Sequence, residues 1–300
     1  MSRAGLVAAP LLTALASIVV AAGQQRPTFR VGVDLVTVDV SVSRGGHPVS
    51  GLTLENFVVF DNGVKQKLEG ITTEQVPIDA FLVLDTSGSL AGNRLSQLKG
   101  AADSLLDGLT ADDRASLIAF SHVILMRCPL SADLRAVRSA LALTESSGRT
   151  ALYDAMYVAL RLREPSDNRA VAVVFTDGFD NASWLSEDRL LDAAARSDVI
   201  IYGVTLGRPA RQEHSVVSVE KPPQYKFLGS AANVTGGRLF HAATGDKLRD
   251  AFARVLEDMR ARYLLRYSPD KVMPGWHALE VRLQGVRGDI TARRGYFAAR

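Results

Sequence analysis

Cysteine is almost absent from this chain of 300 residues, which contains only Cys128. A single thiol excludes an intramolecular disulfide, so side-chain packing has to stabilise the fold. It also excludes a diacyl lipid anchor, because such an anchor needs a cysteine directly after the export leader. We therefore expect Cys128 to be a small, buried, apolar residue.

The chain also has few histidines and no marked excess of charge of one sign. The five histidines are scattered and follow neither a zinc-protease spacing nor a nucleophile pattern, so we interpret them as structural or solvent-facing. Lysine and arginine number 35 against 32 aspartates and glutamates. This balance argues against a nucleic-acid-binding surface, which needs concentrated basic residues, and Arg293-Arg294 is only a small local cluster.

Long apolar runs are missing except at the start of the chain. Residues 5–20 are apolar, Arg3 precedes them, and Val20-Ala21-Ala22 offers the small residues of a cleavage site. The pattern predicts that residues 1–23 are a signal peptide and that the mature protein is secreted or periplasmic, without stable membrane insertion. The alternative is an uncleaved membrane anchor, since a run of this length is close to spanning a bilayer.

The middle of the chain, residues 78–260, alternates apolar runs with amphipathic segments. This alternation predicts an α/β fold of the Rossmann-like type, with a mostly parallel sheet and helices on both faces. The predicted strands are residues 80–84, 115–120, 170–175 and 199–204. The predicted helices are residues 93–109, 134–143, 151–162, 188–195 and 246–259. A short run at residues 122–126 predicts an antiparallel edge strand.

The two flanks, residues 28–76 and 261–298, have the alternating pattern of strands with one buried face. Asp61-Asn62-Gly63 predicts a tight turn in a hairpin. The strands predicted in the flanks are residues 29–42, 57–60, 64–68, 263–267, 279–283 and 290–297. Neither flank is large enough for a core of its own, so we expect both to form one small β-sandwich from which the α/β domain is inserted. Two separate appendages are the alternative.

Oxygen-bearing side chains follow two of the predicted buried strands. Asp85, Ser87 and Ser89 follow the first, Asp177 follows the third, and Thr150 stands directly before a helix. Ligands of open α/β sheets bind at the carboxyl ends of the strands. Two carboxylates and three hydroxyls suit a hard divalent cation, and ligand type alone does not separate Mg²⁺ from Mn²⁺ or Ca²⁺. The alternative is that Asp85 and Ser87 only cap the following helix.

The segment Asp85-Thr86-Ser87-Gly88-Ser89 resembles the DxSxS motif of the metal-ion-dependent adhesion site (MIDAS) in von Willebrand factor A (vWA) and integrin I domains. Thr150 and Asp177-Gly178 match the later positions of that motif. The resemblance implies direct ligation by Ser87 and Ser89, direct or water-mediated ligation by Thr150 and Asp177, and Asp85 in the inner shell or one water away. The flanks are similar to secreted bacterial vWA-related proteins, through residues 33–40, Gly51-Leu52-Thr53 with Phe57, and Arg294-Gly295-Tyr296-Phe297.

From these features we predict an extracytoplasmic adhesion or scaffold module, not an enzyme, whose cation captures an exposed Asp or Glu of a protein partner. One alternative is a phosphatase-like metal-dependent hydrolase, although the DxD pattern of haloacid dehalogenases needs an acid where Ser87 stands. Another is a structural subunit of an envelope assembly with a stabilising metal. The oligomeric state stays open.

We call the carboxyl edge of the sheet at Asp85, Ser87, Ser89, Thr150 and Asp177 the metal edge. Three residues near it are candidates for partner contact, namely Trp184, Phe179 and Arg149. For Trp184 the alternative is packing beneath the next helix, and for Arg149 it is an ordinary surface ion pair. Asp180 and Asn181 are candidates for tuning the cation from a second shell, but they are also common turn residues.

Overall fold

The computed structural model describes residues 35–73, 76–177, 180–207, 223–242, 244–269 and 273–298. The strands are β1 (Val36–Arg44), β2 (His47–Pro48), β3 (Phe57–Asp61), β4 (Val64–Lys65), β5 (Leu68–Thr72), β6 (Ile78–Asp85), β7 (Arg114–Phe120), β8 (Ile124–Ser131), β9 (Arg169–Thr176), β10 (Ile200–Leu206), β11 (Leu239–Ala242), β12 (Tyr263–Tyr267), β13 (Gly275–Leu283), β14 (Asp289–Ala292) and β15 (Gly295–Ala298). The helices are α1 (Asn93–Asp107), α2 (Leu134–Ala142), α3 (Leu152–Arg161), α4 (Glu187–Arg196), α5 (Pro223–Thr235) and α6 (Gly245–Arg260).

The central sheet has the strand order β11-β10-β9-β6-β7-β8. All neighbouring strands run parallel except β8, which lies antiparallel to β7 at one edge. Every residue of β6, β9 and β10 is buried, because helices cover both faces of the sheet. Helices α1, α2 and α6 pack on one face, and α3, α4 and α5 pack on the other. The predicted α/β fold class is therefore confirmed.

Helix α6 illustrates how the sequence determines these layers. Leu248, Phe252, Val255 and Met259 recur at three- to four-residue spacing, and all four are fully buried against the sheet. Each such side chain contributes about 1.5–3 kcal/mol by leaving water. The hydroxyl of Thr244 accepts a hydrogen bond from the backbone N–H of Lys247 and caps the first turn.

Strands from both flanks pair with each other in two further sheets. One has the order β14-β1-β12-β5, with β2 paired to β1, and the other has the order β15-β13-β3-β4. In β3 and β12 alternate residues are buried, so each strand turns one face to a shared core. That core contains Val38, Val40, Val42, Leu52, Phe57, Val59, Tyr263, Leu265, Tyr267, Leu279 and Val281.

Two segments predicted as single strands are each divided between the two sheets. In the segment 64–68, strand β4 ends at Lys65, and strand β5 of the other sheet begins at Leu68. Residues 290–297 are likewise divided into β14 and β15. The chain changes sheets just before Gly295, where a Cβ atom would lie 2.3 Å from the carbonyl oxygen of His277 and 2.3 Å from the Trp276 ring. This close approach requires a glycine, and alternation of residue types does not reveal it.

Other differences concern the edges of the central sheet. The antiparallel edge strand predicted at residues 122–126 is β8, which begins at Ile124 and continues through Pro129, a residue that an edge strand tolerates. Cys128 lies on this strand and is buried, as expected. Helix α5 and strand β11 were not predicted. Strand β11 is four residues long and mostly half-buried, so its alternation signal is weak.

A buried polar junction joins the sandwich to the α/β layers. Asp39 of β1 pairs with Arg169 of β9 at 2.6 Å and also with Arg262. Asp258 of α6 accepts a hydrogen bond of 2.6 Å from the hydroxyl of Ser41. These bonds tie the end of α6 and the start of β9 to the outer face of β1.

No helix in the described part of the chain combines the length and apolarity needed to cross a membrane. The predicted leader, residues 1–23, lies outside that part.

Candidate metal centre

Asp85 ends β6 at the carboxyl edge of the central sheet, and its carboxylate is fully buried. One carboxylate oxygen accepts the backbone N–H of Ser87 at 2.8 Å, and the other accepts the hydroxyl of Thr176 at 2.6 Å. The register explains this contact, because Leu84 lies opposite Phe175 in the neighbouring strand β9. Burial, reinforced by the nearby carboxylate of Asp177, raises the pKa of Asp85 although the Ser87 and Thr176 donors oppose the rise.

Ser87, Ser89 and Asp177 form a continuous chain of hydrogen bonds from this point. The short 3-10 turn Gly88–Leu90 brings the two serine hydroxyls within 3.1 Å of each other. The Ser89 hydroxyl then donates to one carboxylate oxygen of Asp177 at 2.8 Å. Asp85, Ser87, Ser89 and Asp177 are thus brought together, as predicted from their positions after β6 and β9.

Thr150 reaches the same edge through the loop before α3. The backbone N–H of Gly88 donates to the carbonyl oxygen of Gly148 at 3.0 Å, two residues before Thr150. Gly148 has a φ of +77°, and a Cβ there would lie 2.0 Å from the His122 ring, so the position needs a glycine. Thr150 is buried, and within the described ranges its hydroxyl has no hydrogen-bond partner.

The loop after β9 holds Thr150 in place. The Asn181 side chain accepts the backbone N–H of Thr150 at 2.9 Å, and the Asn181 backbone donates to the Thr150 carbonyl, also at 2.9 Å. Asp180 accepts the N–H groups of Tyr153 at 3.1 Å and Ser183 at 3.2 Å. Both residues therefore fix the loop against the start of α3, which is the turn-forming role that the sequence left open.

Arg94, on the first turn of α1, was missed by the sequence analysis. Its guanidinium donates to the second carboxylate oxygen of Asp177, and a longer contact of 3.5 Å reaches the Ser89 carbonyl. Its side chain is 45% exposed. Its position five residues after Ser89, in the first turn of the following helix, is the sequence feature that could have indicated its place at the metal edge.

The chemistry of the donors fits a hard divalent cation. Two carboxylates balance a charge of +2, and three hydroxyls add neutral oxygen ligands. In the described ranges there is no group of three or more His, Cys, Asp or Glu side chains placed to hold a metal ion. A site at this edge would consequently rely on hydroxyl oxygens from Ser87, Ser89 and Thr150. Arg94 would compete with the cation for Asp177.

The predicted partner-contact residues differ in their surroundings. Trp184 is 97% exposed, and its backbone N–H donates to Asp154 at 2.9 Å. This exposure excludes the alternative that Trp184 packs beneath the next helix. Arg149 is exposed and, within the described part of the chain, forms no ion pair. Phe179 lies outside the described residues.

Comparisons with known proteins agree with this fold. Residues 80–179 match the family model of the von Willebrand factor type A domain. An uncharacterized protein of Synechocystis sp. is 32% identical over 112 residues, which cover 35% of this chain and 26% of that protein. The inter-alpha-trypsin inhibitor heavy chain H4 of Homo sapiens is 32% identical over 123 residues, covering 37% of this chain and 13% of that protein. The chain thus spans about a quarter or less of the length of these relatives.

Among solved structures, proximal thread matrix protein 1 from the mussel byssus, with a zinc-occupied MIDAS motif, has a TM-score of 0.53 and 16% sequence identity. The match covers 68% of this chain and 50% of that one. At this identity the likeness concerns the fold alone. The sheet order, the matched residues 80–179 and this likeness together lead to one conclusion: the middle of the chain is a von Willebrand factor type A domain.

Proposed function

We propose that this chain is an extracytoplasmic protein-binding module in which a divalent cation binds an acidic side chain of a partner. The cation would be held by Asp85, Ser87, Ser89, Thr150 and Asp177. The observation that carries the proposal is the hydrogen-bonded chain from Asp85 through both serines to Asp177 at the carboxyl edge of the sheet. Interaction modules are the coarse functional class that the vWA relatives support.

The donor set explains why such a cation would recruit a foreign carboxylate. Mg²⁺ prefers six oxygen ligands at about 2.0–2.1 Å and keeps several waters when a protein offers few charged ligands. Neutral hydroxyls from Ser87, Ser89 and Thr150 leave the ion more electron-poor than additional carboxylates would. A partner Asp or Glu can replace one water and complete the coordination.

Mn²⁺ and Ca²⁺ use the same oxygen donors and are the alternatives to Mg²⁺. Zn²⁺ is included in the binding experiments below because the mussel protein of similar fold carries zinc in its MIDAS motif. We propose a binding role without catalysis, because Ser87 stands where a DxD phosphatase needs its second acid.

The surface around the edge would contact the partner. Trp184 offers a large, fully exposed ring, and Arg149 offers a cation without an ion-pair partner in the described ranges. Aromatic and arginine side chains often carry much of the energy of protein interfaces. Phe179, in the same loop as Trp184, belongs to the proposed contact surface by its position in the sequence.

The first experiment titrates the purified mature chain with Mg²⁺, Mn²⁺, Ca²⁺ and Zn²⁺ by calorimetry. Asp177→Asn should weaken binding of the preferred ion by at least about 100-fold, because it removes one of two charged ligands. Asp107→Asn is the matched control, since Asp107 also pairs with an arginine but lies at the far end of α1. Saturable binding that persists unchanged in Asp177→Asn would contradict the proposal, as would the absence of heat with all four ions.

The second experiment tests the acidic ligand. An immobilised glutamate-containing peptide is the probe, and its glutamine counterpart is the control. Binding of the chain should require both the glutamate and the cation, and EDTA should abolish it while circular dichroism stays unchanged. Equal binding to the glutamine peptide would contradict carboxylate capture.

A further inference from the structure

A cavity of about 690 Å³ lies on the opposite side of the molecule from the metal edge, where the sandwich meets the amino ends of β9 and β10. One wall is the outer face of β1 and β12, which contributes Thr37 and Arg266. The other wall contains the segment before β9 and the turn before β10. The volume is in the range of small-molecule sites in proteins.

Two guanidinium groups in this cavity form no direct ion pair with a described carboxylate, although Asp198 acts on Arg293 from a distance. Arg266 is half-buried, and its side chain makes no hydrogen bond within that part of the chain. Arg293 donates to the carbonyl oxygens of Gly295 at 2.6 Å and Ser197 at 3.3 Å, but no described carboxylate lies within ion-pair distance. Burial lowers the pKa of Arg293, as expected when a cation leaves water without full compensation.

The other charges of the cavity are largely balanced. Arg169 pairs with Asp39 at 2.6 Å, and Arg163 pairs with Asp198 at 3.1 Å. Asp167 is exposed. The cavity therefore contains one arginine without a described counter-ion, Arg266, and a second, Arg293, that shares the Asp198 carboxylate with Arg163.

The strand order places the two arginines on either side of β1. Leu265 and Tyr267 point into the sandwich core, so Arg266 between them points to the other face, into the cavity. Arg293 follows β14, which flanks β1 on the side away from β12. The strands β14 and β12 are two strand spacings apart, about 10 Å, and both arginines line the same cavity.

We propose that this cavity binds a small oxyanionic molecule, one that carries carboxylate or phosphate groups, through Arg266 and Arg293. Guanidinium groups recognise both kinds of oxyanion by paired, charge-assisted hydrogen bonds. An anion bound here would compensate the two half-buried cations, and the neighbouring polar side chains of Thr37 and Thr72 would face it. The site does not depend on the metal edge.

Calorimetry with inorganic phosphate and with succinate, at constant ionic strength, tests the proposal and distinguishes the two chemistries. The protein is first passed over a chelating resin, so that neither anion acts by removing a metal. We expect saturable binding of at least one anion. Arg266→Gln should weaken it by about tenfold, which is about 1.4 kcal/mol. Arg293→Lys should weaken it less than Arg293→Gln, because lysine keeps the charge and loses the paired geometry.

Arg135→Gln is the control, because Arg135 is an exposed arginine on α2, outside the cavity. Melting temperatures of all variants separate loss of binding from loss of fold, and Arg266→Gln is the decisive variant since the Arg266 side chain makes no hydrogen bond or ion pair with a described residue. Absence of saturable binding of both anions at millimolar concentrations would overturn the proposal. An equal loss in Arg135→Gln would also overturn it, because the attraction would then be general.

Discussion

Two aspartates, the half-buried Asp39 and the buried Asp85, have opposite electrostatic surroundings. At the junction with the sandwich, burial alone would raise the pKa of Asp39, but Arg262 and Arg169 lower it below its usual value. At the metal edge, burial and the neighbouring Asp177 raise the pKa of Asp85. The first carboxylate is compensated from within the chain, whereas the second has only neutral donors against it. We interpret the first as a structural charge and the second as one arranged for an external cation.

The largest expected effect comes from breaking the compensated pair. Asp39→Asn leaves the buried Arg169 without a carboxylate partner in the described ranges and leaves Arg262 with Asp258 alone. Removing one partner of a buried ion pair typically costs about 3–5 kcal/mol, so the free energy of unfolding in urea should fall by that amount. Ser41→Ala, which removes only a neutral donor to Asp258 in the same junction, should cost about 1 kcal/mol. Similar losses in the two variants would mean that charge compensation does not distinguish this junction.

The same substitution at the metal edge should act in the opposite direction. Asp85→Asn removes a buried charge that has no cationic partner within the described part of the chain, and its amide can still accept the Ser87 N–H. Metal-free protein should therefore be as stable as the wild type or more stable, by about 1 kcal/mol at neutral pH. Divalent cation should stabilise the wild type and leave Asp85→Asn unchanged. Urea unfolding with and without Mg²⁺ measures both effects, and a large destabilisation of the metal-free variant would contradict the contrast.

Arg94 sharpens the comparison because it already pairs with one of the predicted metal ligands, Asp177. Its contact with Asp177 is half-exposed, so solvent screens it, and the pair is worth about 1 kcal/mol or less. Arg94→Gln should tighten cation binding by up to about fivefold, since Asp177 then loses a competing partner. Arg249→Gln, which breaks an exposed ion pair with Asp246 on α6, is the control. Calorimetry with the preferred ion checks this, and weaker binding in Arg94→Gln would show that Arg94 supports the cation instead of competing with it.

The contrast also explains what the sequence could predict. Asp85 and Asp177 end buried strands, and strand ends are readable from apolar runs, so the four-residue cluster at the edge followed directly. Arg94 and Arg262 lie on or after helices, where a charged residue looks like any solvated position. Their partners are 83 and 223 residues away in the chain, and only the tertiary fold brings them together. The change of sheet at Gly295 was missed because close backbone approach leaves no periodic signal, and β11 was missed because it is short and only one of its four residues is buried.

The smallest effect is expected in the sandwich, where a third aspartate has a titratable partner. Asp61 contacts Nδ1 of His277 at 2.8 Å, and Nε2 of His277 lies 2.7 Å from the carbonyl oxygen of Met273. Burial opposes the charged imidazolium, but the Met273 carbonyl and the Asp61 carboxylate raise the pKa of His277 above its usual value. The hydroxyls of Tyr267 and Tyr296 also donate to Asp61, each at 2.8 Å.

The direction of the pH effect follows from this raised pKa. Protonated His277 stabilises the folded state, so its contribution is fully present below the histidine pKa of the unfolded chain, about 6.5. The contribution is lost as the pH rises through the higher folded value. The free energy of unfolding of the wild type should thus fall relative to His277→Gln as the pH rises from about 6.5 through the higher folded pKa. His47→Gln, at an exposed position, should keep the wild-type slope. If the wild type and His277→Gln had parallel pH profiles, the Asp61 pair would be neutral, and this aspartate would be compensated by the tyrosine hydroxyls alone.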